Sequence, residues 1–246
     1  MPAIPAWPPK SLPRLFVRQP LHDGLTVELD NGQANYLGNV LRLKPGAELL
    51  LFDGASGEWL ARIDEAGRKR MTLAVERRTR ETEAIPDIWL AFAPVKRART
   101  DWLVEKSTEL GAARLIPVIT RRTVAERVRL ERLEAIAIEA AEQCGRTVLP
   151  DIAEPVRLQA LLEGRDASRT LYFADEAGGE PAASAFRPGP ALLLTGPEGG
   201  FADEERALIR AAANSVAISL GPRILRAETA ALAALAAYMA IAGDWR

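Results

Sequence analysis

Two glycine-rich segments near the C-terminus hold the residues best suited to chemistry: TGPEGGF from Thr195 to Phe201, and LGPRILRAETAAL from Leu220 to Leu232. Each follows an apolar run that reads as a buried strand, Ala191 to Leu194 before the first and Val216 to Ser219 before the second. Asp203, Glu204 and Glu205 then supply an acidic opening turn for a helix. Turns that leave the ends of parallel strands are where open α/β sheets bind ligands, because backbone N–H and carbonyl groups there lack strand partners. Gly196, Gly199, Gly200 and Gly221 keep both turns free of side chains that would block a ligand. Leu194, Leu220, Ile224 and Leu225 can supply apolar walls, and Thr195 lets the backbone approach.

The elements that must position these turns alternate. Ile88 to Ala93, Leu115 to Ile119, Thr170 to Ala174, Ala191 to Thr195 and Val216 to Ser219 read as strands. Between and after them come helical stretches. Thr100 to Leu110 is closed by Gly111, and a stripe through Leu133, Ile136, Ala137, Ala140 and Cys144 is closed by Gly145. Asp203 to Ala213 and Arg226 to Ala242 complete the helices, and the alternation predicts an α/β domain with a mainly parallel sheet. The first part differs. Residues 14 to 80 carry short apolar runs at Leu15 to Val17, Leu25 to Leu29, Glu48 to Phe52, Trp59 to Ile63 and Met71 to Val75, broken by turn residues. A small β-barrel or sandwich follows, with a short helix at Ala34 to Leu41 and a proline-rich arm over residues 1 to 13. The polar stretch Glu81 to Asp87 reads as the linker, which gives domains at 1–80 and 81–246.

Composition narrows the function classes. The 246 residues carry a net charge of −1, which argues against a protein that coats nucleic acid nonspecifically. Residues 1 to 80 hold 12 Lys/Arg against 9 Asp/Glu and residues 81 to 246 hold 20 against 24, so the first part is mildly basic. One cysteine, Cys144, excludes an intramolecular disulfide and agrees with a reducing cytoplasm. One histidine, His22, and one cysteine cannot make the usual zinc sets, so no metal is expected. No apolar run suits a membrane span, since Ala230 to Ala242 is too short and too poor in large side chains. A Walker loop and a dinucleotide fingerprint are both missing.

The paired segments, together with RLFV at Arg14 to Val17, VLRLKPG at Val40 to Gly46, KSTELGA at Lys106 to Ala112 and EAAEQCGR at Glu139 to Arg146, resemble the 16S ribosomal RNA uracil-N3 methyltransferases in order and spacing. The resemblance covers nearly the whole chain. It implies a SPOUT-type fold with a C-terminal trefoil knot behind a PUA-like barrel, and S-adenosylmethionine as cofactor. The implied cofactor residues are Phe173, Leu194, Thr195, Gly196, Glu198, Gly199, Gly200, Leu220, Gly221, Ile224, Leu225, Arg226 and Thr229. One departure is Asn35-Tyr36-Leu37, where relatives often carry a histidine before the leucine.

For N3 methylation the uracil proton must leave, and a nearby cation can stabilise the anion that forms. Arg226 is the candidate cation, and Glu198 or Glu228 can take the proton or hold Arg226. RNA contact is expected from Arg14, Arg42, Lys96, Arg97, Lys106, Arg121, Arg122, Gln143 and Arg146. The expected partner is 16S rRNA in the small ribosomal subunit or a late assembly particle. A homodimer is expected through the last helix, with Leu232, Leu235 and Met239 packed on its own sheet and Ala230, Ala233, Ala237 and Ile241 facing the partner copy. The competing reading is a noncatalytic RNA-binding or assembly factor with the same fold.

Overall fold

The computed structural model describes residues 12–67, 70–124 and 128–245, so most of the proline-rich arm lies outside the described residues. The chain divides into two compact units. One ends at Glu83 and also takes in Glu142–Val148; the other is Ala84–Ala141 with Leu149–Arg246.

The first unit is a five-stranded sheet of β1 (Arg14–Phe16), β2 (Thr26–Glu28), β3 (Glu48–Phe52), β4 (Glu58–Ala66) and β5 (Met71–Arg80), in the order β1-β3-β4-β5-β2. Only the β1–β3 pair is parallel. Alternation puts Leu49 and Leu51 of β3 on the inner face with Leu15, Ala61, Ile63 and Leu73, all buried. The expected helix is a short α1 (Asn31–Asn35) capped by Asp30, whose Oδ1 accepts from Gln33 N at 2.8 Å; it continues as a π-helical turn, Tyr36–Val40. Arg42 follows with φ 57°, an uncommon conformation for a residue with a side chain.

In the second unit the strands are β6 (Ile88–Phe92), β7 (Arg114–Ile119), β8 (Asp151–Ile152), β9 (Val156–Arg157), β10 (Thr170–Ala174), β11 (Glu180–Pro181), β12 (Ala191–Thr195) and β13 (Ser215–Ser219). They run parallel in the order β11-β13-β10-β12-β6-β7-β8, with β9 also paired to β7. The helices are α2 (Arg97–Glu109), α3 (Leu130–Cys144), α4 (Leu158–Gly164), α5 (Ala182–Ala185), α6 (Asp203–Ala211) and α7 (Ala227–Ile241). Gly111 and Gly145 end α2 and α3 at φ 94° and 86°, the left-handed cap conformation that glycine adopts without strain.

Both sheet faces are covered. Leu90, Phe92, Leu115, Tyr172 and Leu193 pack under α2, α3, α5 and α7, while Ala91, Ile116, Phe173, Leu192 and Leu194 pack under α4 and α6. That explains why β12 is buried along its whole length. Helices α4 and α5 were not legible as separate elements in the sequence. The inward stripe of α7 is Ala231, Ala234, Leu235, Tyr238 and Met239, with Tyr238 Oη donating to Gly189 O at 2.7 Å. Leu232, expected inward, is only part-buried, and Ala237 and Ile241, expected to face a partner, pack against the chain's own core.

Candidate active site

The order β13-β10-β12 places two strand exits on either side of a third, and chain connections that diverge in this way leave a crevice at the carboxyl ends. The loops leaving β10, β12 and β13 line one cavity there, together with the start of α7. From β12 come Thr195, Gly196, Glu198 and Gly200; from β13 come Leu220, Gly221, Ile224 and Leu225. These eight are sequence-predicted cofactor residues brought together. Gly221 has φ 104°, and a Cβ built there meets nothing within 4 Å, so its backbone faces open space.

Other predicted residues lie elsewhere. Strand alternation turns Phe173 and Leu194 away from the cavity into the core shared with α4 and α6. Gly199 gives its carbonyl to Arg122 Nη1 at 2.7 Å and does not line the cavity. Thr229 is exposed on α7 outside the cavity lining. Ile224, expected as a wall, lines the cavity but is 92% exposed.

The third loop was missed. Ala174, Asp175, Glu176 and Gly178 line the cavity, and Asp175 is buried between Arg206 Nε at 3.1 Å and Arg210 Nη2 at 2.6 Å. Arg206 also pairs with Glu176 at 3.1 Å, and Phe201, Arg206 and Arg223 line the cavity as well. A strand followed by Asp175-Glu176-Ala177-Gly178-Gly179 carries the same signal as the two glycine-rich turns.

Of the three candidate catalytic residues, Arg226, also expected to bind the cofactor, is the exposed N-cap of α7 and lies outside the cavity lining, and its carbonyl accepts from Ala230 N at 2.8 Å. Glu198 lines the cavity with its side chain 46% exposed. Glu228 is 8% exposed at the side chain, with Oε2 buried and unpartnered among the described residues. Arg99, which sequence reasoning did not select, pairs with both carboxylates.

The loop after β7 supports the site: Glu205 Oε1 accepts from Arg121 N at 2.8 Å, and Arg121 pairs with Glu204 at 3.0 Å. Lys96, Arg97, Arg121, Arg122, Gln143 and Arg42 are exposed, as an RNA-facing role requires. Three others are buried or part-buried against protein partners. Lys106 is held between Glu105 and Glu109 at 2.7 Å each, and those carboxylates hold its ammonium above the usual lysine range. Arg14 is 10% exposed, paired with Glu58 at 2.8 Å and stacked on Phe52. Arg146 is buried, 3.8 Å from Glu83. Burial and pairing take these three away from an RNA-contact surface.

Comparison with known proteins agrees with this geometry. Residues 82–239 match the RNA methyltransferase domain family, and residues 29–76 match the RNA methyltransferase PUA domain. Fold, cradle and matched domains together define the class: an RNA methyltransferase with a PUA domain. A Rickettsia conorii protein named ribosomal RNA small subunit methyltransferase E is 32% identical, over 91% of this chain and 93% of its own. A Synechocystis protein of the same name is 34% identical over 88% of this chain and 73% of its own. The chain belongs to the ribosomal RNA small subunit methyltransferase E family. A crystal structure of that enzyme from Neisseria gonorrhoeae, bound to S-adenosyl methionine, is 31% identical with a TM-score of 0.87, over 96% of this chain and 100% of the other.

Proposed function

We propose that this protein uses S-adenosylmethionine to methylate N3 of a uridine in 16S rRNA, in the decoding region of an assembled or nearly assembled small subunit in the cytoplasm. The observation that carries the reading is the convergence of three parallel-strand exits on one cavity, with open space at the bare backbone of Gly221. The residues present suit the cofactor. Glu176, Glu198, Arg206 and Arg223 put both signs of charge around a cavity that must take a sulfonium, an ammonium and a carboxylate, while Phe201, Leu220 and Leu225 supply apolar surface. When bound, the cofactor supplies an electrophilic methyl group.

The chain's own residues do the rest. Thr195, Gly196 and Gly221 let the backbone hold the ligand in one orientation, which matters because in-line attack depends on alignment. Arg226 stabilises the negative charge that develops on uracil as N3 loses its proton. Glu198, half-exposed at the cavity, is better placed to take that proton than Glu228, which is buried behind it in α7.

The first unit guides RNA through Arg42 and Gln143, and the second through Lys96, Arg97, Arg121 and Arg122. The ending is threaded as a trefoil knot. Two copies associate through the C-terminal domain along the stripe of α7 left part-buried or exposed, Leu232, Ala233, Ala236 and Ala240. Mass mapping of 16S rRNA from a deletion strain, with and without complementation, tests the reaction: a methyluridine lost and restored supports it, and an unchanged modification pattern refutes it. Light scattering tests the assembly, and a 26.7 kDa monomer with full activity would refute the dimer.

A further inference from the structure

Arg99 lies near the start of α2 and reaches carboxylates on two different segments. Its Nη1 is 3.4 Å from Glu198 Oε1 on the loop after β12, and its Nε is 3.5 Å from Glu228 Oε1 on the first turn of α7. The two carboxylates differ sharply in exposure, 46% for Glu198 and 8% for Glu228. A buried carboxylate requires a compensating cation, and removing that cation is strongly destabilising. Glu228 therefore fixes the guanidinium from the protein side, where α2 and α7 pack together. A different nitrogen of the same planar group is left to meet the loop carboxylate, and the rigid guanidinium fork fixes the angle between the two acids as a freely rotating ammonium does not. Lys96 and Arg97, close by in the same basic run, are exposed, whereas Arg99 is turned toward the two acids.

We propose that Arg99 is a positioning residue for methyl transfer: braced by Glu228, it holds the Glu198 carboxylate at the cavity in the place from which it takes the N3 proton. The inference rests on the reading of Glu198 as proton acceptor. Glu228 then acts through Arg99 and does not touch substrate. The three groups form a chain of buried anchor, cation and working carboxylate, the arrangement by which a reactive group is oriented by a second residue that is itself held by a third.

The test is single-turnover methylation of small ribosomal subunits from a deletion strain, at saturating cofactor, with Arg99→Met, Arg99→Lys, Glu198→Gln and the double variant Arg99→Met/Glu198→Gln. Melting temperature and S-adenosylmethionine affinity by calorimetry are measured alongside. Arg99→Met is expected to slow the step about 100-fold, the scale of an error of about 1 Å in placement, with cofactor affinity within about fivefold. Arg99→Lys recovers part of the rate, because it keeps charge without the fork. The double variant is no slower than the slower single one, since both act through one carboxylate.

If Arg99→Met alone does not fold, the same cycle is run in a Glu228→Gln background, where no uncompensated buried charge remains. Rates within threefold of wild type for Arg99→Met, with Glu198→Gln slow, overturn the role of Arg99 alone. A wild-type rate for Glu198→Gln overturns the acceptor reading beneath it. Independent, multiplicative losses in the double variant overturn the coupling.

Discussion

Replacing Gly221 by valine tests the cradle at a point where its two physical demands separate. Gly221 has φ 104°, and an added Cβ finds nothing within 4 Å, so the ligand-free protein offers no clash. The whole folded-state cost is then backbone strain, about 1–3 kcal/mol for a side chain held in such a region. If the loop keeps its conformation, about 2 kcal/mol of strain lowers the melting temperature by roughly 4–8 °C in a chain of this length. If the loop relaxes instead, stability is kept and cofactor binding must restore the conformation, which weakens affinity about 30-fold.

Valine also places two γ-carbons in the space the ligand needs, whereas alanine adds strain with little volume. Calorimetric affinities for Gly221→Ala and Gly221→Val, read beside their melting curves, are expected to fall in that order, with valine losing at least about 30-fold. A valine variant with both wild-type affinity and wild-type melting temperature would refute the assignment of this turn to the cofactor.

Arg226→Ala is expected to reduce the single-turnover rate about 100- to 1,000-fold and cofactor affinity little, because charge on uracil appears only as the reaction proceeds; an unchanged rate removes Arg226 from the mechanism. Gly179→Ala drives a Cβ against Ala217 O and within 2.7 Å of Ile218 N, backbone atoms of β13 that cannot turn aside. Urea unfolding should show a loss of about 1–3 kcal/mol, and full stability would mean that β11 is held less closely than described. Burial raises the Asp53 carboxyl, but hydrogen bonds from Ser56, Ala55 and Leu21 outweigh it and hold the group below its usual 3.8. Its contribution is therefore complete above pH 3.8 and disappears as pH falls through the lower folded value. Asp53→Asn should flatten that part of the stability profile between pH 2 and 5, and identical profiles would sink the argument.

The glycine signals were the most legible part of the sequence because glycine reports a backbone requirement directly. Gly111 and Gly145 end helices where the sequence placed those ends, and Gly196, Gly200 and Gly221 sit at the cavity. Helix phase was harder to read. The last helix is so rich in alanine that several stripes could face inward, and the bulky Tyr238, which the sequence reading left unassigned, joins Leu235 and Met239 in setting the orientation. Arg99 was hidden for a related reason: which basic residue of Lys96-Arg97-Ala98-Arg99 meets Glu198 and Glu228 is decided by the rotation of α2, and pairing across 99 and 129 residues leaves no local pattern. Arg14 misled for the opposite reason, since an arginine beside an apolar strand reads as a surface charge until Glu58 is seen beneath it.

The segment Glu142–Val148 gives the first unit an unusual history. Arg14 donates to the carbonyls of Glu142 and Arg146, Phe16 N to Glu142 Oε1, Arg80 to Gly145 O, and Thr147 N to Glu83 Oε1. These bonds tie both ends of the sheet's sequence to a later segment, and none of them can form until the chain has been synthesised at least as far as Glu142. A nascent chain that has just passed Glu83 therefore has Arg14 set on Glu58 and Phe52 but without its two carbonyl acceptors, and a Glu83 carboxylate without the Thr147 amide. Cutting the gene after residue 83 would reproduce that unfinished intermediate, so the boundary seen in the order of amino acids is not a boundary at which folding is complete.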